Sequence, residues 1–299
     1  MASSSPYVGI QYKFLTEKDF PEAHATMVEA FSDYHLDMSY MTSERSWLRN
    51  LKSGVHYDCS VAACDGEKMV GVTFVGLDDW LGEKAAFDAG TGIIPGYRGQ
   101  GIAKDMFEFC LPRLQERGIS SFLLEVLKPN EAAIRAYTKT GFKPTREFAC
   151  YDLQRDYFVV ENFADSVFKV QVIDNPKVQE FEALVDWQPS WEHSFAGMGR
   201  IADDIVRLGA FSGNQCVGIL VYYPLLQWIM CLIVTKDTRR QGVASSLLKA
   251  LMENLPEDVD TVKINNIDRS DIAMLAFFEK AGAIHVIDQF EMEYRFHKQ

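Results

Sequence analysis

The amino-acid sequence predicts an α/β (α+β) protein made of two tandem copies of one domain, each with a mixed, mostly antiparallel sheet flanked by helices. The chain has 299 residues, the length of about two ordinary domains. Residues 98–103 recur as residues 239–244, 141 positions later, and Gly141 recurs as Gly282 at the same distance. Each run follows an apolar, strand-like stretch and begins a helix-like one, so the repeat includes the secondary structure.

The first copy alternates apolar strands with helices, separated by turn residues. Its predicted strands cover residues 9–15, 58–63, 68–76, 85–94, 121–127 and 148–153. Its predicted helices cover residues 20–31, 43–51, 101–117 and 130–140, the last ended by Gly141. Residues 77–85 are predicted to form a surface loop, because the first copy has six more residues here than the second. The second copy repeats this order from about Phe168, which gives domain limits of 1–155 and 156–299.

The charge and composition exclude several partners and locations. The formal net charge of −12 repels nucleic-acid phosphates and suits a cationic substrate, although acidity alone also serves solubility. Residues 216–235 are uncharged and long enough to span a bilayer, but Pro224 and a polar, aromatic centre favour two buried strands. The six cysteines have no paired spacing, and the N-terminus has no signal-peptide pattern. We therefore expect a cytoplasmic protein with no membrane or nucleic-acid partner.

A strand, a glycine-containing turn and a helix form a potential anion site in each copy. The first N–H groups of the helix lack partners within it, and the helix dipole adds positive charge there. Gly99 and Gly101 have no Cβ, so a pyrophosphate can approach the backbone, and Arg98 either adds a positive side chain or braces the loop. The Gly-Lys-Ser/Thr ending of a Walker loop is absent. Two copies at equal spacing favour a ligand site over a plain strand–helix turn.

These residues resemble the GNAT superfamily of acyl-CoA-dependent N-acyltransferases. The superfamily's loop, Arg/Gln-x-x-Gly-x-Gly/Ala, is matched in both copies, and its pattern Asn-x-x-Ala-x-x-x-Tyr-x-x-x-Gly-Phe is complete only in the first, from Asn130 to Phe142. The resemblance implies two tandem GNAT-like domains that use acetyl-CoA. We expect no metal, because the six histidines show no metal-ligand spacing. The residues that it places at acetyl-CoA are Ile93, Ile94, Arg98, Gly99, Gln100, Gly101, Ile102, Ala103 and Asn130 in the first copy, and Arg239, Arg240, Gln241, Gly242, Val243 and Ala244 in the second.

Transfer to an amine requires two proton-transfer groups. The amine is mostly protonated at neutral pH and needs a base, and the departing thiolate needs an acid. The resemblance assigns these roles to Glu125 and Tyr137, because ribosomal-protein N-terminal acetyltransferases of the superfamily carry a similar Leu-Glu-Val…Asn…Tyr arrangement. The corresponding positions of the second copy are Asn266 and Phe278, which are unsuited to either role. Two alternatives stay open: Glu125 facing solvent or pairing with Lys128, and Tyr137 serving only as a packed aromatic.

The sequence thus predicts an N-acetyltransferase that moves the acetyl group of acetyl-CoA to a primary amine, with a catalytic first copy and a degenerate second one. Asp33, Tyr34 and Asp37 are candidates for binding a cationic small-molecule or peptide acceptor. The rival hypothesis is a non-catalytic acyl-CoA-binding or scaffold protein. We expect a monomer or a homodimer.

Overall fold

The computed structural model describes residues 9–33, 41–159 and 168–296. These residues form two compact units. Unit 1 consists of Met1–Thr145 together with Glu291–Gln299, and unit 2 consists of Arg146–Phe290. The domain limits 1–155 and 156–299 stay a prediction.

Unit 1 is a mixed sheet with helices packed against it. Its elements are β1 (Ile10–Phe14), α1 (Phe20–Ala30), α2 (Ser43–Ser53), β2 (Val61–Asp65), β3 (Lys68–Trp80), β4 (Glu83–Ile93), α3 (Ile102–Glu116), β5 (Ser121–Leu127) and α4 (Glu131–Thr140). The strands follow the order β1-β2-β3-β4-β5, and all neighbours are antiparallel except β4 and β5, which are parallel. Helices α1 and α3 both pack on β3 and β4. The predicted fold class is confirmed for this unit.

The helix ends of unit 1 follow from capping residues in the sequence. The side chain of Thr42 accepts a hydrogen bond from the backbone of Arg45 at the start of α2. The side chain of Asn130 does the same for the backbone of Ala133 at the start of α4. Gly141 ends α4 with a φ of 106°, a conformation that glycine adopts without steric cost.

The surface loop predicted for residues 77–85 is wrong. The antiparallel pairing of β3 with β4 continues through this region to the pair Trp80 and Glu83. Leu81 and Gly82 form the turn, with φ values of 52° and 80°, as a two-residue hairpin connection requires. Trp80 is buried, so the added residues lengthen a hairpin whose end is anchored by packing.

Unit 2 repeats this architecture. Its elements are β6 (Lys143–Gln154, from Arg146 onward), β7 (Lys169–Val172), α5 (Asn175–Gln179), α6 (Phe195–Arg200), β8 (Val206–Ser212), β9 (Gln215–Tyr223), β10 (Trp228–Val234), α7 (Val243–Glu253), β11 (Thr261–Asp268), α8 (Ile272–Lys280) and β12 (Ile284–Arg295, as far as Phe290). The strands follow the order β6-β11-β10-β9-β8-β7, with β10 and β11 parallel and the other pairs antiparallel. The uncharged segment 216–235 forms β9 and β10, as predicted. Among the described residues, no helix is long and apolar enough to cross a membrane.

An aromatic cluster joins α3, β5 and α4 in the core of unit 1. The ring of Phe142 lies 5.6 Å from that of Phe107 and 5.5 Å from that of Phe122, between ring centres, and Tyr137 lies 5.9 Å away. Phe142 is fully buried. Edge-on and tilted contacts of this kind add to the stabilisation from burial.

We predict that Phe142→Ala lowers the free energy of unfolding by about 3–5 kcal/mol, because a buried ring is replaced by a cavity. Urea denaturation of the full chain measures the change. Phe109→Ala is the matched control, since Phe109 lies on α3 but is 37% exposed. Equal losses of unfolding free energy in the two variants would show that the buried cluster stabilises the protein no more than a partly exposed ring does.

Candidate functional site

The loop between β4 and α3 forms an open cradle beside a helix N-terminus. Gly99 and Gly101 have φ values of 74° and 87°, and a Cβ built on either glycine would meet no atom within 4 Å. Gly101 is the N-cap of α3, so the first N–H groups of the helix lie beside this open space. Unit 2 has the same cradle before α7, with Gly242 at a φ of 92° as the N-cap. An anionic group fits either place.

Arg98 and Arg239 brace these loops. Arg98 Nε donates to the carbonyl oxygen of Ile93 at 3.1 Å, and its terminal nitrogens bind both carboxylate oxygens of Asp33 at 2.7 and 2.8 Å. Arg239 Nε likewise donates to Val234 at 3.2 Å, and its Nη2 lies 2.8 Å from Asp186. The bracing alternative for Arg98 is therefore the one that the side-chain contacts support. Asp33 is committed to this contact, while Tyr34 and Asp37 lie outside the described residues.

A cleft opens where β4 and β5 part. The two strands pair only through Ala85–Phe87 and Ser121–Leu123, although both continue for several residues. The pairing of β3 with β4 shifts by one residue at Ala89, which marks a β-bulge on β4. A bulge bends and twists its strand, and this one lies two residues after the last pair with β5.

Asp88 lies at the mouth of this cleft, and the sequence analysis missed it. It is the first residue of β4 beyond the pairing with β5, and it is only 7% exposed. Its carboxylate accepts hydrogen bonds from the Thr91 hydroxyl at 2.9 and 3.0 Å, from the Gly90 N–H at 3.0 Å, and from the Tyr137 hydroxyl at 3.2 Å. A lone carboxylate within an apolar strand was the signal that could have identified it.

Burial raises the pKa of Asp88 from 3.8 to about 6, and the hydrogen bonds from Thr91, Gly90 and Tyr137 oppose that rise in part. A carboxyl group with this pKa changes its charge just below neutral pH. Buried, perturbed carboxyl groups of this kind are concentrated at functional sites.

The two residues predicted to transfer protons flank the same opening. Tyr137 projects from α4, and its ring packs edge-on against Phe107 at 5.5 Å, which directs its hydroxyl to Asp88. Glu125 lies on β5 two residues beyond Leu123, the last residue paired with β4, and its Oε1 atom is buried. Asn130 caps α4 through its side-chain oxygen. The described residues contain no cluster of three or more His, Cys, Asp or Glu side chains suited to a metal ion.

Unit 2 keeps the backbone of this site and replaces its polar side chains. Strand β10 has a bulge at Met230, 141 residues after the bulge at Ala89, and pairs with β11 at Trp228 and Lys263. The positions of Asp88, Glu125 and Tyr137 are taken by Ile229, Asn266 and Phe278. The amide of Asn266 bonds to Ser190 Oγ at 2.9 Å and to Gln289 Nε2 at 2.8 Å.

A pocket of about 830 Å³ lies in unit 2 between these elements. Its walls include β10 from Ile229 to Val234, the loop before α7, part of β11 and part of α8. The pocket therefore connects the anion cradle to the point where β10 and β11 part. Its volume falls in the range of about 300–1,000 Å³ that is usual for sites of organic ligands.

Comparison with known proteins links both copies to one family. The sequence matches the acetyltransferase (GNAT) family over residues 21–142 and again over residues 167–283. An uncharacterized N-acetyltransferase of Bacillus subtilis, YdgE, is 25% identical over 44% of this chain and 90% of that protein. N-alpha-acetyltransferase 30 of Schizosaccharomyces pombe is 32% identical over 28% of this chain and 56% of that protein.

Two solved structures share the fold across nearly the whole chain. A GCN5-related N-acetyltransferase from Sphaerobacter thermophilus has a TM-score of 0.71 at 13% identity, covering 96% of this chain and 95% of that one. A tandem GNAT protein from the clavulanic acid biosynthesis pathway has a TM-score of 0.72 at 12% identity, covering 97% and 99%. At such identities the likeness concerns the fold.

We predict that the free energy of unfolding of Asp88→Asn, relative to that of the wild type, is higher at neutral pH than in acid. A pKa raised to about 6 means that the wild type gains stability from a neutral Asp88 at low pH and loses it as pH rises through 6. The full loss is about 3 kcal/mol, of which about 2 kcal/mol falls between pH 4.5 and 7.5. Urea denaturation of both proteins at pH 4.5 and 7.5 gives the comparison. A difference that is constant with pH would contradict the burial of an ionisable Asp88.

Proposed function

The chain belongs to the GNAT acetyltransferase family, and on that premise we propose that unit 1 transfers the acetyl group of acetyl-CoA to a primary amine at the cleft between β4 and β5. The family match confirms the resemblance seen in the sequence and identifies the chain as an N-acetyltransferase. The observation that supports unit 1 most is the hydrogen bond between Tyr137 and the buried Asp88 at the point where the strands part. The acceptor belongs to the class of small-molecule or peptide amines.

Acetyl-CoA supplies the activated acetyl thioester, and the residues of unit 1 fit it. The open space beside Gly99 and Gly101 at the N-terminus of α3 suits the pyrophosphate, with the backbone from Gln100 to Ala103 around it. Ile93, the last residue of β4, offers its backbone to the pantetheine arm, while the N–H and C=O groups of Ile94 beside it are bonded to Val70 and Tyr97. Asn130 lies at the start of α4. Arg98 acts indirectly, because it braces the loop that makes these contacts.

We assign the base to Glu125 and the acid to Tyr137. The acceptor's ammonium group loses one proton before its nitrogen attacks the thioester carbon and a second proton afterwards. Glu125 takes one and passes it to solvent, and the second replaces the proton that Tyr137 gives to the departing sulfur. Backbone N–H groups of β4 near Ile93 are the donors for the negative charge that develops on the acetyl oxygen.

Asp88 is a positioning residue for this chemistry. Its carboxylate accepts the Tyr137 hydroxyl and thereby fixes the direction of the phenol group. The phenol hydroxyl is thereby held beside the point where β4 and β5 part. Protonation of Asp88 below pH 6 removes the charged acceptor of this hydrogen bond, so transfer should weaken in acid.

Unit 2 retains the cradle at Arg240, Gln241, Gly242, Val243 and Ala244 and lacks the proton-transfer groups. We propose that it binds CoA without turnover. The wider expectations stay part of the proposal: a cytoplasmic protein, a monomer or a homodimer, without nucleic acid as a partner.

The catalytic assignments predict that Glu125→Gln and Tyr137→Phe each lower kcat by roughly 10²-fold or more, the usual contribution of a general base or acid. Release of the CoA thiol from acetyl-CoA with a panel of primary amines measures the rate. The controls are Glu116→Gln and Tyr157→Phe, two exposed positions. A Glu125 or Tyr137 variant with unchanged kcat would lose its assigned role.

The role of Asp88 predicts a pH dependence. In the wild type, kcat/KM should rise as the pH increases through 6, and Asp88→Asn should remove this rise. If kcat/KM of Asp88→Asn still rises near pH 6, the rise reports the titration of another group.

The cradle assignment predicts that Gly101→Val weakens acetyl-CoA binding to unit 1 by at least tenfold, because the side chain fills the space left for phosphate. The matched control is Gly66→Val, which imposes a similar positive φ of 60° at an open turn away from the cradle. Calorimetric titration of each variant with acetyl-CoA gives the affinities. Equal affinity in the two variants would show that the loop is not the site.

A further inference from the structure

The inner end of the unit 2 pocket differs in chemical character from the matching place in unit 1. Where unit 1 places Asp88 and Tyr137, unit 2 places Ile229 and Phe278, which are 3% and 2% exposed. Both line the pocket where β10 and β11 part. Asn266 also lines this end, but its amide is already hydrogen-bonded, so the surface left for a thioester there is mainly apolar.

The walls next to this end are also mainly apolar. The segment before α6 contributes Leu184, Val185, Trp187 and Pro189, and the bulge contributes Met230. His193, which is 5% exposed, lines the pocket as well, and its ring packs edge-on against Trp228 at 5.8 Å. Such walls favour an alkyl chain over a charged group.

The two carboxylates among the described walls are already engaged. Asp186 is paired with Arg239 at 2.8 Å. Asp271 caps α8 by accepting from the Met274 backbone at 2.9 Å, and its other oxygen accepts from Trp187 Nε1 at 3.0 Å. Neither is placed to receive a cationic amine unless these contacts break.

We propose that unit 2 binds, and does not transfer, a CoA thioester whose acyl chain is alkyl and longer than acetyl. The inference rests on the proposed role of the 239–244 loop in holding CoA, and it adds the class of acyl group. The cradle holds the nucleotide end, and Ile229, Phe278 and Met230 surround the chain. Each CH₂ group buried there contributes about 0.8 kcal/mol, a factor of about four in affinity.

The test uses the full chain carrying Gly101→Val, so that unit 1 does not contribute. Calorimetric titrations with CoA, acetyl-CoA, butyryl-CoA and hexanoyl-CoA should show Kd falling about fifteenfold for each pair of CH₂ groups added from acetyl onward. A second chain carrying Gly242→Val, with unit 2 blocked, should bind acetyl-CoA without this trend. Gly213→Val is its matched control, at a φ of 59° in an open turn.

The possible results distinguish acyl-chain selectivity in unit 2 from CoA binding by unit 2 and from amine acetylation by unit 1. Binding of all four ligands with equal Kd would overturn the acyl selectivity and leave the CoA site standing. No binding of any of them would overturn both, while amine acetylation by the Gly242→Val chain would still report on unit 1. Release of CoA thiol by the Gly101→Val chain with an amine, abolished by adding His193→Ala, would overturn the inference by making unit 2 a second transferase.

Discussion

The early parting of two parallel strands is the constraint on which the site of unit 1 depends. Strands β4 and β5 pair through three residues each and then separate, next to a bulge at Ala89. Beyond that point β4 remains paired with β3 but no longer pairs with β5, so the backbone groups on its β5 side are available to a ligand. Asp88 and Tyr137 meet at this opening, and Glu125 lies on β5 just beyond the last pair with β4.

The duplicated chain separates the scaffold from the chemistry. Both units have a bulge at the same distance from the glycine loop, a glycine N-cap at the helix that follows, and an arginine that braces the loop against an aspartate. Only unit 1 combines this backbone with Asp88, Glu125 and Tyr137. Phosphate binding relies on backbone N–H groups and tolerates such changes, whereas proton transfer depends on individual side chains.

The sequence predicted the features that depend on local spacing. The repeat, the glycine loops, the end of α4 at Gly141 and the strand at residues 121–127 all follow from residues close together in the chain. The length of the β3–β4 hairpin was missed, because Leu81 is an unusual residue for a turn with positive φ. The sequence marks Asp88 only as a lone carboxylate within an apolar strand, because its role arises from a bulge and from a contact with Tyr137, 49 positions later. The contact of Arg98 with Asp33 also joins residues far apart in the chain, 65 positions, so local spacing does not predict it.

The central claim is that both units hold CoA on the same backbone. Titration of the wild-type chain with CoA, in a calorimeter and without an acceptor, tests it most directly through the stoichiometry. Two sites per chain are the predicted result. A single site per chain would contradict CoA binding by one of the two units. No binding at millimolar CoA would contradict it for both.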